Sequence, residues 1–163
     1  MAYSSLLTGE YLRAFERHAT KNDPKRGGAT VPCWEIVAYA ADILDIAARK
    51  LGDNLDMCHL ARSLGIDGVI YNKYIDLLKP GQYGVIMVPN DGKAFIVLRE
   101  TLCREEKRFT LAHEIGHYCL HVRSSWGDYS IFSTIIEQEA EIFAAALMYL
   151  LDQRTAQRAA HAA

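Results

Sequence analysis

From residue 34 to residue 51, apolar side chains return at helical spacing (Ile36, Val37, Ala40, Ile43, Leu44, Ala47, Leu51), and Gly52 follows where such a face would end. This period predicts an amphipathic helix with one buried stripe and a glycine stop. A shorter helix is predicted over residues 56–64, with Asp56 as its N-cap and Gly65 as its C-terminal stop. The pattern then changes. Val69-Ile70-Tyr71, residues 83–88 and residues 93–98 have strand signatures, and Pro89-Asn90-Asp91-Gly92 between the last two contains an Asp-Gly hairpin signal. Two long helices are predicted next, over 104–122 and 133–158, separated by a loop at 123–132. The expected class is α+β, with a small, mostly antiparallel three-stranded sheet preceding and packing against the helices that carry the chemistry.

Residues 21–32 gather Pro, Gly, Asn and Asp with Lys25 and Arg26, the composition of a linker. The expected organisation is an N-terminal helix and mobile linker over 1–32 and one main domain over 33–163. With 163 residues, half of them apolar, the chain can bury a core without staples. Lys and Arg total 18 against 20 Asp and Glu, a net charge of -2, so nothing draws it to a phosphate backbone and no direct nucleic-acid partner is expected. The stretch from Leu60 to Ile66 resembles the first half of a helix-turn-helix, but strand residues stand where the recognition helix should begin. The four cysteines are far apart and form no C-x-x-C pair, so they are expected to be reduced, mostly buried thiols. The first 19 residues lack a basic segment followed by an apolar one, and the longest apolar run, 142–151, is too short for a bilayer. These features together point to a cytoplasmic protein with no membrane partner.

The candidate chemistry lies in His113-Glu114-Ile115-Gly116-His117, an H-E-x-x-H motif inside a helical pattern. Residues four apart on a helix stand one above the other, about 6 Å along the axis, so both imidazoles can reach one metal ion. His113, Glu114, His117 and His121 share one arc, while Leu111, Ala112, Ile115, Gly116, Cys119, Leu120 and Val122, with Phe109, fill the other. A glycine within a helix costs roughly 1 kcal/mol against alanine, so Gly116 marks close packing or function. A catalytic zinc takes three protein ligands and leaves one position open. His121 lies about 12 Å along the axis from His113, too far to share that ion, and fits a supporting or surface role. Glu137 and Glu141, four apart on the following helix, are both open as the third ligand, whereas Glu139 is expected to point away. Glu137 has a competing role, since Thr134-Ile135-Ile136-Glu137 fits a capping box. Two imidazoles and a carboxylate suit zinc best, with manganese the alternative.

The run from Arg108 to His117, with Leu120-His121 beyond it, resembles the signature of the ImmA/IrrE family of metallopeptidases. The run from Glu137 to Ala145 is similar to that family's second motif: Glu, two variable residues, Ala, Asn or Asp, one residue, then Phe-Ala-Ala. The resemblance extends over about residues 56–151. It implies a zincin-like fold, Glu137 as third zinc ligand beside His113 and His117, and Glu114 as general base on a water activated at the zinc. It places the family's supporting Asn or Asp at Glu141, a longer side chain, and the family's Leu-Met-Pro helix ending is replaced by Met148-Tyr149-Leu150. It also implies a protein substrate, a helix-turn-helix repressor or antitoxin-type regulator. Candidates for stabilising an oxyanion are His121, Tyr118 and Tyr129, and the aromatics of residues 124–129 offer a cleft wall. Two other classes compete: a non-proteolytic module that keeps the zincin fold and binds a regulator, and a DNA-binding regulator built on Leu60 to Ile66.

Overall fold

The computed structural model describes residues 31–73, 77–89, 91–122 and 134–162. The expected N-terminal helix and nearly all of its linker, and the loop expected at 123–132 with Trp126 and Tyr129, lie outside the described residues. Among the described residues, four α-helices surround a three-stranded sheet.

Helix α1, Cys33–Leu51, buries the stripe its period predicts: Ile36, Tyr39, Ala40, Ile43, Leu44, Ile46 and Ala47. Gly52 follows with φ 53, a backbone conformation that other residues adopt only with strain. Helix α2, Met57–Ser63, starts at Asp56, whose carboxylate accepts the His59 backbone N–H at 2.7 Å. Gly65, at φ 89, turns the chain straight into strand β1, Ile66–Asn72, so the helix-turn-helix reading of this stretch fails for want of a second helix.

Strands β2, Gly84–Met87, and β3, Ala94–Arg99, form the antiparallel hairpin that Asp91-Gly92 announces, with Gly92 at φ 77. The sheet as a whole is not mostly antiparallel. Its order is β1-β3-β2, and β1 runs parallel to β3, which makes it mixed. Turn residues specify only the local β2–β3 pairing and carry no information about the partner of β1. Strand β3 takes the centre because Ala94, Ile96, Val97 and Leu98 are all buried, a near-continuous apolar run fit for a strand covered on both faces.

Helix α3, Arg104–His117, lies against the sheet, and its first backbone N–H donors are served in part by Glu106, which accepts the Cys103 N–H at 2.8 Å. Over Tyr118–Val122 the helix widens into a π turn that carries His121. Helix α4, Thr134–Ala162, packs across α3 and α1 and runs farther than the pattern suggests, held at its polar end by ion pairs of Arg154 with Asp45 and Arg158 with Asp53. Phe143 of α4 is fully buried and meets Tyr39 edge-on, with ring centroids 6.0 Å apart. Phe109, expected on the buried face of α3, is instead 40% exposed. Of the cysteines, Cys119 is buried and Cys58 half-buried, but Cys33 and Cys103 are exposed, so the thiols are not mostly buried. No described helix is long and apolar enough to cross a membrane.

Gly116 sets how closely α3 and α4 approach. A Cβ built on it would stand 3.1 Å from the Ala140 carbonyl oxygen and 3.2 Å from Phe143 Cδ1. The first of these is helix backbone, so an added methyl group separates the two helices. Gly116→Ala is therefore expected to destabilise the protein by on the order of 1 kcal/mol, the cost of overpacking exceeding alanine's helix propensity. Chemical denaturation checks this, and an unchanged or raised midpoint would show that the helices yield freely.

Candidate metal centre

Two facing helices supply the candidate donors. From α3, His113 and His117 rise one turn apart with rings nearly perpendicular and centroids at 4.6 Å. From α4, Glu137 reaches across, close enough because Gly116 and Ala140 let the helices touch one turn away. Glu137, which in the sequence also fits a capping box, turns its carboxylate to the two imidazoles.

Nε2 of His113 and Nε2 of His117 are 3.0 Å apart; Glu137 Oε2 is 3.2 Å from the first and Oε1 3.3 Å from the second. These three residues form the group, among the described residues, whose donor atoms all lie within 4.8 Å of one another. Tetrahedral donors at about 2.0–2.1 Å from zinc stand roughly 3.3 Å from each other. The two ring nitrogens stand close to such an edge, and the Glu137 carboxylate approaches each of them through a different oxygen, so the three residues can close around a zinc-sized ion. Glu141, the other sequence candidate, is exposed on α4 and is not brought to the group.

Exposure differs around the cluster. The His113 and His117 side chains are 16% and 13% exposed, whereas Glu137 is 43% exposed and marks the open side. Burial, then the nearby His113 and His121, pushes the His117 pKa down to about 3. A histidine held neutral keeps the lone pair that a metal requires.

Glu114 is on the same helix but not in the donor group. Its side chain is buried under β2, where a Cβ on Gly84 would come within 3.2 Å of Oε1. Burial, opposed by a hydrogen bond from the Ile86 backbone and reinforced by the charge of Glu137, pushes the Glu114 pKa up to about 8. The arrangement thus sets a buried carboxyl group, its pKa lifted out of the usual carboxylate range, beside a potential metal site.

Sequence reasoning missed Glu139. Expected to point away, it is buried; Oε2 lies 3.1 Å from His121 Nε2, and Oε1 accepts the Val31 N–H at 3.0 Å. His121 in turn meets His117, Nδ1 to Nδ1, at 3.2 Å. The one available signal was the helical offset of His121 from His117, which puts both rings on one side. Tyr118, a candidate for the oxyanion, is buried.

Comparison with known proteins gives one family match: residues 74–161, more than half of the chain, match the peptidase M78 model described as the IrrE N-terminal-like domain. The match spans β2, β3, α3 and α4, the elements that carry the donor group and Glu114. No curated protein and no solved structure matches the chain.

The tuning of Glu114 has a stability signature in metal-free protein. Its ordinary pKa of 4.5 applies to the unfolded chain and about 8 to the folded one, so between these values the folded state holds the extra proton. Its contribution is present below about 4.5 and is lost as pH rises through about 8, by no more than roughly 1.4 kcal/mol per pH unit. Melting temperatures of chelated wild type are expected to fall between pH 6.5 and 8.5 relative to chelated Glu114→Gln. Parallel curves for the two proteins would show that Glu114 is ionised throughout.

Proposed function

Because the chain belongs to the IrrE N-terminal-like domain family of metallopeptidases, we propose that it is a zinc-dependent endopeptidase cleaving one specific protein partner, a helix-turn-helix repressor or antitoxin-type regulator. The observation that carries the zinc reading is the set of 3.0–3.3 Å separations among His113 Nε2, His117 Nε2 and the Glu137 carboxylate. Those three residues hold the metal, and Glu114 is the general base.

Bound zinc supplies Lewis acidity, polarising the scissile carbonyl and making water easier to deprotonate. In metal-free protein burial keeps Glu114 protonated; a cation held beside it would favour its ionised form, which would accept the proton from the attacking water and hand it to the leaving amine. The open side at Glu137 admits the peptide. Strand β2 is an edge of the sheet, and Tyr83 accepts the Arg99 N–H from its neighbour β3. By alternation, the polar backbone groups of Gly84 and Ile86 face the other way, toward the edge where Ile86 meets Glu114. A substrate added there as an extended strand brings its backbone alongside the general base.

His113→Ala and His117→Ala are expected to abolish zinc retention, as is Glu137→Ala, while Glu141→Ala keeps near-stoichiometric zinc by elemental analysis. Glu114→Gln is expected to retain zinc and lose hydrolysis by about 10²–10⁴-fold, measured on a proteome-derived peptide library. Undiminished hydrolysis in that variant would defeat the mechanism. Zinc binding with partner capture and no cleavage in the wild type would favour the non-proteolytic module.

A further inference from the structure

A chain of polar contacts leads away from the donor group into the protein. It runs from His117 Nδ1 to His121 Nδ1 at 3.2 Å, from His121 Nε2 to Glu139 Oε2 at 3.1 Å, and from Glu139 Oε1 to the Val31 N–H at 3.0 Å. It joins α3, the π turn, α4 and the segment that enters α1. The His121 and Glu139 side chains are only 17% and 11% exposed.

Hydrogen-bond direction makes this chain more than a tie between helices. Ligation through His117 Nε2 needs a lone pair there, so the ring proton must sit on Nδ1. His117 Nδ1–H then donates to His121 Nδ1, which leaves the His121 proton on Nε2, facing Glu139. The carboxylate accepts this N–H on one oxygen and the Val31 N–H on the other. Along this chain each N–H meets an acceptor when His117 carries its proton on Nδ1, and that leaves its Nε2, 3.0 Å from His113 Nε2 and 3.3 Å from Glu137 Oε1, with the lone pair a metal needs. The position that the family resemblance gives to a supporting Asn or Asp carries Glu141, which is exposed.

We infer that His121 and Glu139 are positioning residues that fix the ring orientation and tautomer of His117, Glu139 doing for this chain what Glu141 does not. The inference rests on the reading of His117 as a ligand, but its tautomeric part can be read without metal. Glu139→Gln keeps size and shape yet presents an N–H₂ group to one of its two N–H partners. If that partner is His121, the ring must accept at Nε2 and donate from Nδ1, which forces the His117 proton onto Nε2. If it is Val31, the anchor of the side chain is lost.

Nitrogen-15 NMR of the histidine rings in the metal-free full chain reads the tautomer, and competition with a zinc chelator reads affinity. The expected result is an Nδ1–H His117 in the wild type and a shift toward Nε2–H in Glu139→Gln. Zinc affinity is expected to fall about 10–100-fold in Glu139→Gln and in His121→Phe, which keeps the ring volume without its nitrogens. The double variant should lose no more than His121→Phe alone, and Glu141→Gln should bind as the wild type does. An Nε2–H His117 in the wild type, or unchanged affinity in both Glu139→Gln and His121→Phe, would overturn the inference. A wild type that takes up no zinc but shows the tautomer change would refute the proposed function while supporting the positioning role.

Discussion

The site depends on one close approach, that of α3 to α4 at Gly116. With only a hydrogen where other residues carry Cβ, the Ala140 backbone comes nearly into contact, and Phe143 closes the gap from the far side. Glu137 lies three residues before Ala140, almost one turn along α4, so the same crossing carries its carboxylate to 3.2–3.3 Å from the two imidazoles. A wider crossing would leave the histidines paired with each other and the carboxylate in solvent. The glycine's cost in helix propensity is thus offset by a geometry that no larger residue permits.

Around that crossing, apolar packing and polar chemistry divide the helix between them. Leu111, Ala112 and Ile115 bury one side of α3 in the common core, with β3, α2 and α4 as the helix's neighbours, and Tyr39 and Phe143 belong to the same cluster. The other side carries His113, Glu114, His117 and His121, all at least partly withdrawn from water. Withdrawn groups demand partners. The histidines meet each other and two glutamates, and Glu114 meets the Ile86 backbone. Burial is therefore also what sets the protonation of the site: it keeps His117 neutral and Glu114 protonated over a wider range than either would be in water. Strand β2 contributes through both its edge and Gly84, whose missing side chain leaves room for the Glu114 carboxylate.

Much of this was legible in the sequence, because the relevant signals are local. Helical periodicity located α1, α3 and α4, Asp56 and Gly65 bounded α2, and Asp91-Gly92 marked the β2–β3 hairpin. The spacing of His113 and His117 foretold two imidazoles on one face, since four residues make about one turn whatever surrounds the helix. Gly116 announced close packing without revealing its partner. Tertiary structure alone decided what depends on contacts between distant segments. Beside β3, β1 is parallel, a pairing between distant segments that no turn residue encodes. Between Glu137 and Glu141, one helical turn apart and chemically alike, only the placement of α4 against α3 selects the carboxylate that meets the histidines. Glu139 looked misdirected because its offset was judged against the face that Glu137 and Glu141 share. Its partners, His121 on the π turn and the Val31 backbone, are 18 and 108 residues away in sequence. Periodicity gives the direction of a side chain from its own helix axis, and only packing supplies what waits there.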